Sequence, residues 1–274
     1  MSPWSALGVA TAGLAHLENT PPLPCQDAVG VVASSRPVLA AADGAGSSPA
    51  SDVGARTVVA AMLRLATTLE SQLAWLLDGH DEPSPEALHE FAELLTRHAQ
   101  GSLADRAAEQ SRAVRDLRCT LLLALVGSER LLWLKVGDGE IVLERAVPSD
   151  TKEGEATELV PHLSTLGERG KGEFANQTLF VDERLAFEQA QYGCEPTKAL
   201  TGVALMSDGA AEKLVSLNGE QVSGQLSHWF DDLRHGRLRQ RDLVRSFYSE
   251  SFCRGTSGDD RSIALAARDL LKGL

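Results

Sequence analysis

Five carboxylates in this chain stand at the ends of short apolar runs. Asp43 and Gly44 close Leu39-Ala-Ala-Ala, Asp138 and Gly139 close Trp133-Leu-Lys-Val-Gly, and Asp208 and Gly209 close Val203-Ala-Leu-Met-Ser. Asp27 opens Ala28-Val-Gly-Val-Val32, and Gly258-Asp259-Asp260 opens Arg261-Ser-Ile-Ala-Leu-Ala-Ala267. Acids scattered in sequence but placed alike on strand ends can converge on one spot. Two carboxylates about 4 Å apart repel by roughly 4 kcal/mol at an effective dielectric near 20, so a cluster needs a positive partner or its pKa values rise. Oxygen-only ligands select hard ions, Mg²⁺ or Mn²⁺ over Zn²⁺. Two such ions sharing a carboxylate can share and activate a water for in-line attack on phosphorus. Glycine after each acid lets the chain turn sharply and expose its own carbonyl. Any single Asp-Gly is more often a turn than a ligand, and spacing alone leaves the two readings balanced.

The elements around these acids read as strands and helices in alternation. Residues 29–33 and 38–42 form two strands joined by the turn Ser34-Ser35-Arg36-Pro37. A small-residue loop follows Asp43. A long helix then carries Met62, Ala66, Leu69, Leu73 and Leu76 on one face and stops at Asp78-Gly79. This further Asp-Gly ends a helix rather than a strand and carries little functional weight. Ser84-Pro85-Glu86 starts a second helix that runs to about Gln110 with an interruption near Gly101. Residues 119–126, 131–136 and 140–145 read as an antiparallel meander, with Asp138-Gly139 as its second turn. The polar stretch 147–173 shows no clear periodicity and reads as a loop or flap. Strands return at 177–181 and 203–206. A charged helical region over 219–249 precedes the last strand, 262–267.

Composition sets the class. The 274 residues are 43% hydrophobic and 23% charged, as in ordinary globular proteins. The 26 Lys and Arg against 38 Asp and Glu give a net charge of −12. No basic run offsets that charge, which argues against nucleic acid or an anionic membrane as partner. The four cysteines (Cys25, Cys119, Cys194, Cys253) have no C-x-x-C spacing, which disfavours a zinc or redox site and fits free thiols in a cytoplasmic protein. No stretch reaches bilayer-spanning apolar length, and Met1 to Leu17 lacks the charged start of a secretory signal.

The order and wording of the acidic segments are similar to those of one family. Gln26-Asp27, Ala41-Ala42-Asp43-Gly44-Ala45-Gly46, Val136-Gly137-Asp138-Gly139, Ser207-Asp208-Gly209 and Gly258-Asp259-Asp260-Arg261-Ser262 together resemble the metal-dependent, protein phosphatase 2C-like protein phosphatases, in a bacterial-type member. The resemblance spans about residues 8–267 and rests on five motifs in order, each weak alone. It implies an α+β fold, a four-layer α-β-β-α sandwich with two central, mostly antiparallel sheets flanked by helices. It also implies a single catalytic domain over 1–274 with a flap-like loop at about 147–175. The activity implied is hydrolysis of phosphoserine and phosphothreonine by a water bridging two Mn²⁺ or Mg²⁺ ions.

Carried over by position, Asp43 bridges both metals and the Gly44 carbonyl binds one of them. Asp208 and Asp259 complete the other site, and Asp27 lies at the edge of the ligand shell. Asp138 with Asp208 holds a third, weaker ion. Asp260 occupies the place where the family usually has Asn, so Asp259 is the preferred ligand and a one-residue shift is the alternative. The implied partners are a phosphorylated protein and a cognate bacterial Ser/Thr kinase.

Two departures stand out. Many members carry an Arg five residues before the first acid, where it grips the substrate phosphate; Pro22 stands there in this chain. The His found in or just after many family Asp-Gly motifs is replaced by Ala45, Ser47 and Ser48. His16 is then a candidate phosphate contact or proton donor, against its more common role as a structural or exposed residue. Asn176 and Thr178 are candidates for closing the flap near substrate. The missing residues keep a rival reading open, a catalytically weak phosphoprotein-binding regulatory module. A two-metal hydrolase of small phosphate esters is the third.

Overall fold

Residues 38–42 are uncharged and leave no polar face for solvent, so this strand must be covered on both sides. The computed structural model, which describes residues 4–149, 158–168 and 178–269, covers it with helices on one side and a second sheet on the other. In chain order the elements begin with β1 (Ser5–Thr11), the one-turn helix α1 (Leu14–Leu17), β2 (Ala28–Val32) and β3 (Val38–Ala42). Helices α2 (Ser51–Thr68), α3 (Glu70–Asp78) and α4 (Pro85–Glu109) follow. Next come β4 (Leu121–Val126), β5 (Arg130–Val136), β6 (Glu140–Pro148), β7 (Leu159–Leu166), β8 (Gln191–Pro196) and β9 (Leu200–Met206). The chain closes with α5 (Asp208–Leu214), α6 (Gln225–Arg234), α7 (Gln240–Phe247), α8 (Glu250–Cys253) and β10 (Arg261–Ala267).

The strands form two five-stranded sheets, ordered β1-β10-β9-β6-β7 and β2-β3-β4-β5-β8. Every neighbouring pair is antiparallel. Period-two alternation sorts the side chains of each strand. In β3, Val38, Ala40 and Ala42 face α2, α3 and α4, whereas Leu39 and Ala41 enter the layer between the sheets. That inner layer also takes Leu122 and Ala124 of β4, Trp133 of β5, Ile141 and Leu143 of β6, and Val203 and Leu205 of β9. On the far side Val142, Ala204, Met206, Ile263 and Leu265 meet Leu226, Trp229 and Phe230 of α6 and Leu243 and Phe247 of α7. The result is the four-layer α-β-β-α sandwich that the motifs imply.

Several elements differ from the sequence reading. The long helix ending at Asp78 is two helices, broken at Leu69. Thr67 and Thr68 donate their hydroxyls to the carbonyls of Leu63 and Arg64, a back-bonding that bends helices. Gly79 ends α3 in extended rather than left-handed conformation. By contrast α4 runs unbroken through Gly101, where a single glycine costs only about 1 kcal/mol. The Ser84 hydroxyl caps its start by accepting from the Ala87 N–H.

The meander is also incomplete. β4 and β5 pair, but β6 belongs to the other sheet, between β7 and β9. The Asp138-Gly139 turn therefore carries the chain across the sandwich. Gly137 permits this with φ of 109° while packed on Thr120. The polar stretch read as a flap contains β7, an edge strand whose many exposed residues hide its alternation. Residues 150–157 and 169–177 of that region, Asn176 among them, lie outside the described residues. Of the strand expected over 177–181, Val181 forms an isolated bridge with Cys119. β1 and β8 add strands that periodicity did not mark.

Candidate functional site

Strand registers bring the acids to one end of the sandwich. Ala28 pairs with Ala42, so Asp27, one residue before, and Asp43, one residue after, come out side by side at the open end of β2 and β3. Thr120, just ahead of β4, locks the next position. Its hydroxyl accepts the Asp43 N–H at 2.9 Å, and its own N–H donates to the Asp43 carbonyl at 2.8 Å. Val136 at the end of β5 pairs with Leu121, which sets the Asp138 turn beside Thr120. In the other sheet Met206 pairs with both Glu140 and Ile263. That register puts the end of β9 with Asp208, the start of β6 after Asp138, and the start of β10 after Asp259 at the same edge.

Asp208 is the first residue of α5, where an acid is favoured by the helix dipole. The Ser207 N–H donates to the Ser262 carbonyl, and the Ser262 N–H donates to the Ser207 hydroxyl, tying β9 to β10 below the acids. Gly44 is buried between Gln26 and Ser51. A Cβ there would stand 2.8 Å from the Ser51 side chain and 2.9 Å from the Gln26 carbonyl, so only glycine fits.

The electrostatics match this convergence. Asp43 is held well above the ordinary carboxylate range by burial, then by the charges of Asp27 and Asp208, a shared hydrogen bond with Asp27, and the charge of Asp259. Burial raises Asp208 to about 6, and the charges of Asp138 and Asp259 add to it. Burial also raises Asp27 to about 7, against the opposing pull of the Ser207, Asp43 and Ser262 side chains. Both Asp27 carboxylate oxygens are buried without an aligned hydrogen-bond donor among the described residues. A buried carboxylate that meets no aligned donor, set beside carboxyls that resist ionisation, fits a bound cation. The donor set is all oxygen, which suits Mn²⁺ or Mg²⁺.

Asp259 and Asp260 part company. The Asp259 side chain is half exposed, and its charge acts on both Asp43 and Asp208. Asp260 is buried and accepts the N–H groups of Gly13 at 2.7 Å and Gln26 at 2.6 Å. It therefore pins two loops and acts as a strut. His16, on α1, is wedged between them, with Nδ1 2.9 Å from Asp260 and Nε2 3.9 Å from Asp259. One ligand atom from each of the three lies within 4.8 Å of the others. Pro22 is exposed on the loop after α1. Asp78 is spoken for by the Arg36 guanidinium and the Ser128 N–H, in keeping with its helix-ending role.

Ser207 and Ser262 stand in the motifs read from the sequence but without a role of their own, and Thr120 and Arg118 are not singled out there. Nothing marks those two beforehand, since they act through register with residues far along the chain. Thr178, named for its place beside the polar stretch, donates its hydroxyl to Asp138 at 2.7 Å.

The protein phosphatase 2C family matches residues 12–246. The chain belongs to the protein phosphatase 2C family. No curated protein matches it by sequence. Solved structures share the fold at low identity. The catalytic domain of the serine threonine protein phosphatase PstP in complex with two manganese ions is 17% identical, with a TM-score of 0.59 over 97% of this chain and 99% of that one. Serine/threonine phosphatase Stp1 from Staphylococcus aureus is 14% identical, with a TM-score of 0.56 over 97% and 95%. PppA, a regulatory component of T6SS in Pseudomonas aeruginosa, is 15% identical, with a TM-score of 0.57 over 98% and 99%. Among its described residues no helix is long and apolar enough to cross a membrane.

Proposed function

We propose that this single domain is a protein serine/threonine phosphatase that uses Mn²⁺ or Mg²⁺ to hydrolyse phosphoserine and phosphothreonine. The observation that carries the reading is the convergence of acids from both sheets around the buried carboxylate of Asp27, which meets no aligned donor. Asp43, central in the cluster's electrostatics, is assigned as the shared metal ligand together with the Gly44 carbonyl. Asp208 and Asp259 complete the second position, and Asp27 orients the shell from beneath. Asp138, fixed by Thr178, joins Asp208 in a third and weaker site. His16, nearer to Asp260 than to Asp259, is assigned to bracing this acidic loop.

Bound cations of this kind supply Lewis acidity, lowering the pKa of a water and offsetting charge on the phosphoryl group. The chain's own residues bind and orient. Family membership favours a phosphorylated protein as substrate, with a bacterial Ser/Thr kinase as the opposing enzyme. The test is Mn²⁺-dependent phosphate release from a phosphothreonine peptide and from an aryl phosphate, by wild type and Asp208→Asn. Release from the peptide by wild type, lost in the variant, is the expected result. No metal-dependent release by a folded wild type would refute the enzyme reading. Release from the aryl ester alone would move the function to small phosphate esters.

A further inference from the structure

A phosphate dianion entering a site lined by carboxylates is helped by a fixed cation of the chain itself. Residues 117–120 run antiparallel along residues 43–46, through the Gly44–Cys119 bridge and the Ala45 N–H donated to the Arg118 carbonyl. Successive side chains of such a segment point to opposite sides. Cys119 goes to the buried side, where the charge of Asp43 reaches it. Arg118 therefore leaves on the same side as Thr120, the residue that holds Asp43 and backs the Asp138 turn.

The Arg118 guanidinium is fixed in place there. Its Nε donates to the Ser48 hydroxyl at 3.3 Å and a terminal nitrogen donates to the Ser47 hydroxyl at 3.1 Å, both in the loop after Asp43-Gly44. It lies over the Phe180 ring at 5.6 Å from the centroid. Two residues before Phe180, Thr178 holds Asp138. Residues 178–180 thus run from the acid cluster to the arginine. Among the described residues its side-chain partners are the Ser47 and Ser48 hydroxyls and the Phe180 ring, with no carboxylate, and it is only partly covered. A pre-aligned guanidinium with spare N–H donors, set beside a metal-binding loop, is suited to phosphate oxygens.

We propose that Arg118 grips the phosphoryl group of the substrate. This rests on the phosphatase reading above, and the test separates the two. A fluorescent phosphothreonine peptide and its unphosphorylated twin are titrated with wild type, Arg118→Ala and Arg118→Lys in Mn²⁺, and anisotropy is read. Hydrolysis of the phosphopeptide and inhibition by inorganic phosphate are measured on the same proteins. A rise of about 10- to 100-fold in Kd, KM and phosphate inhibition constant for Arg118→Ala is expected. The kcat should stay within about threefold, and lysine should restore part of the loss. Phosphopeptide affinity and KM unchanged in Arg118→Ala would overturn the assignment and leave the phosphatase reading standing. A purely structural arginine would lower thermal stability and Mn²⁺ affinity with KM unmoved, and that too overturns it. Phosphopeptide binding that depends on Arg118 without hydrolysis by wild type would sustain the assignment and refute the phosphatase. Neither binding nor hydrolysis would overturn both.

Discussion

Replacing Asp208 by Asn should stabilise the metal-free protein and weaken its response to manganese. The Asp208 carboxyl is raised from an ordinary 3.8 to about 6, so near neutral pH the folded chain holds an anion that its surroundings resist. At about 1.4 kcal/mol per pKa unit, that resistance costs roughly 3 kcal/mol in the absence of metal. Asn removes the charge but loses a favourable acid at the start of α5, worth about 0.3–1 kcal/mol. It also weakens the acceptor for the Gly209 N–H, about 0.5–1.5 kcal/mol. The net is a gain of about 0.5–2 kcal/mol, or a rise of roughly 1–4 °C in Tm for a chain of this length. Manganese should reverse the order. An ion present at about 100 times its Kd adds about 2.7 kcal/mol to wild type, whereas the variant lacks a ligand and gains less than half. Differential scanning fluorimetry in chelator and in Mn²⁺ reads both. A variant less stable than wild type in chelator, with an equal manganese shift, would refute the reasoning.

The same acids set a pH dependence. Asp27 and Asp208 are raised to about 7 and about 6, so between the ordinary 3.8 and those values the folded state keeps protons that the unfolded chain has released. Their contribution is therefore unperturbed below about pH 4, and their penalty grows as pH rises and is complete above about pH 7. Urea unfolding in chelator should show stability from this cluster falling between about pH 4 and pH 7, and Mn²⁺ should flatten the slope. A pair of neighbouring substitutions separates ligand from strut. Asp260→Ala leaves the N–H groups of Gly13 and Gln26 without their acceptor and should cost about 2–4 kcal/mol in chemical denaturation. Asp259→Asn should leave stability nearly unchanged while Mn²⁺ affinity by calorimetry falls about tenfold or more. The opposite pattern would make Asp260 the ligand.

Much of this site is written in the chain because its parts are local. Apolar runs ending in an acid and a glycine identify both the strand and its chemical end, and β2, β3, β9 and β10 lie where those runs place them. Which strands neighbour one another is not local. The Asp138 turn has the residues of a hairpin yet crosses between sheets, because Gly137 takes a positive φ against Thr120, a contact with a residue before β4. β7 was hidden because an edge strand with exposed residues lacks the apolar alternation that marks a half-buried one. Asp260 looks in sequence like one more acid of the cluster. Only the backbone N–H groups of Gly13 and Gln26, more than 200 residues away, distinguish it from Asp259. The cation Arg118 carries no motif, and its place becomes visible only once residues 117–120 lie along the Asp43 loop.

The central claim is that the acids at this end of the sandwich hold two hard divalent ions. Anomalous diffraction from crystals grown in Mn²⁺ tests it most directly. Two strong peaks sharing Asp43, one against the Gly44 carbonyl and the other against Asp208 and Asp259, are expected. A map with no peak on Asp43, or with its density confined to His16, Asp259 and Asp260, would contradict it.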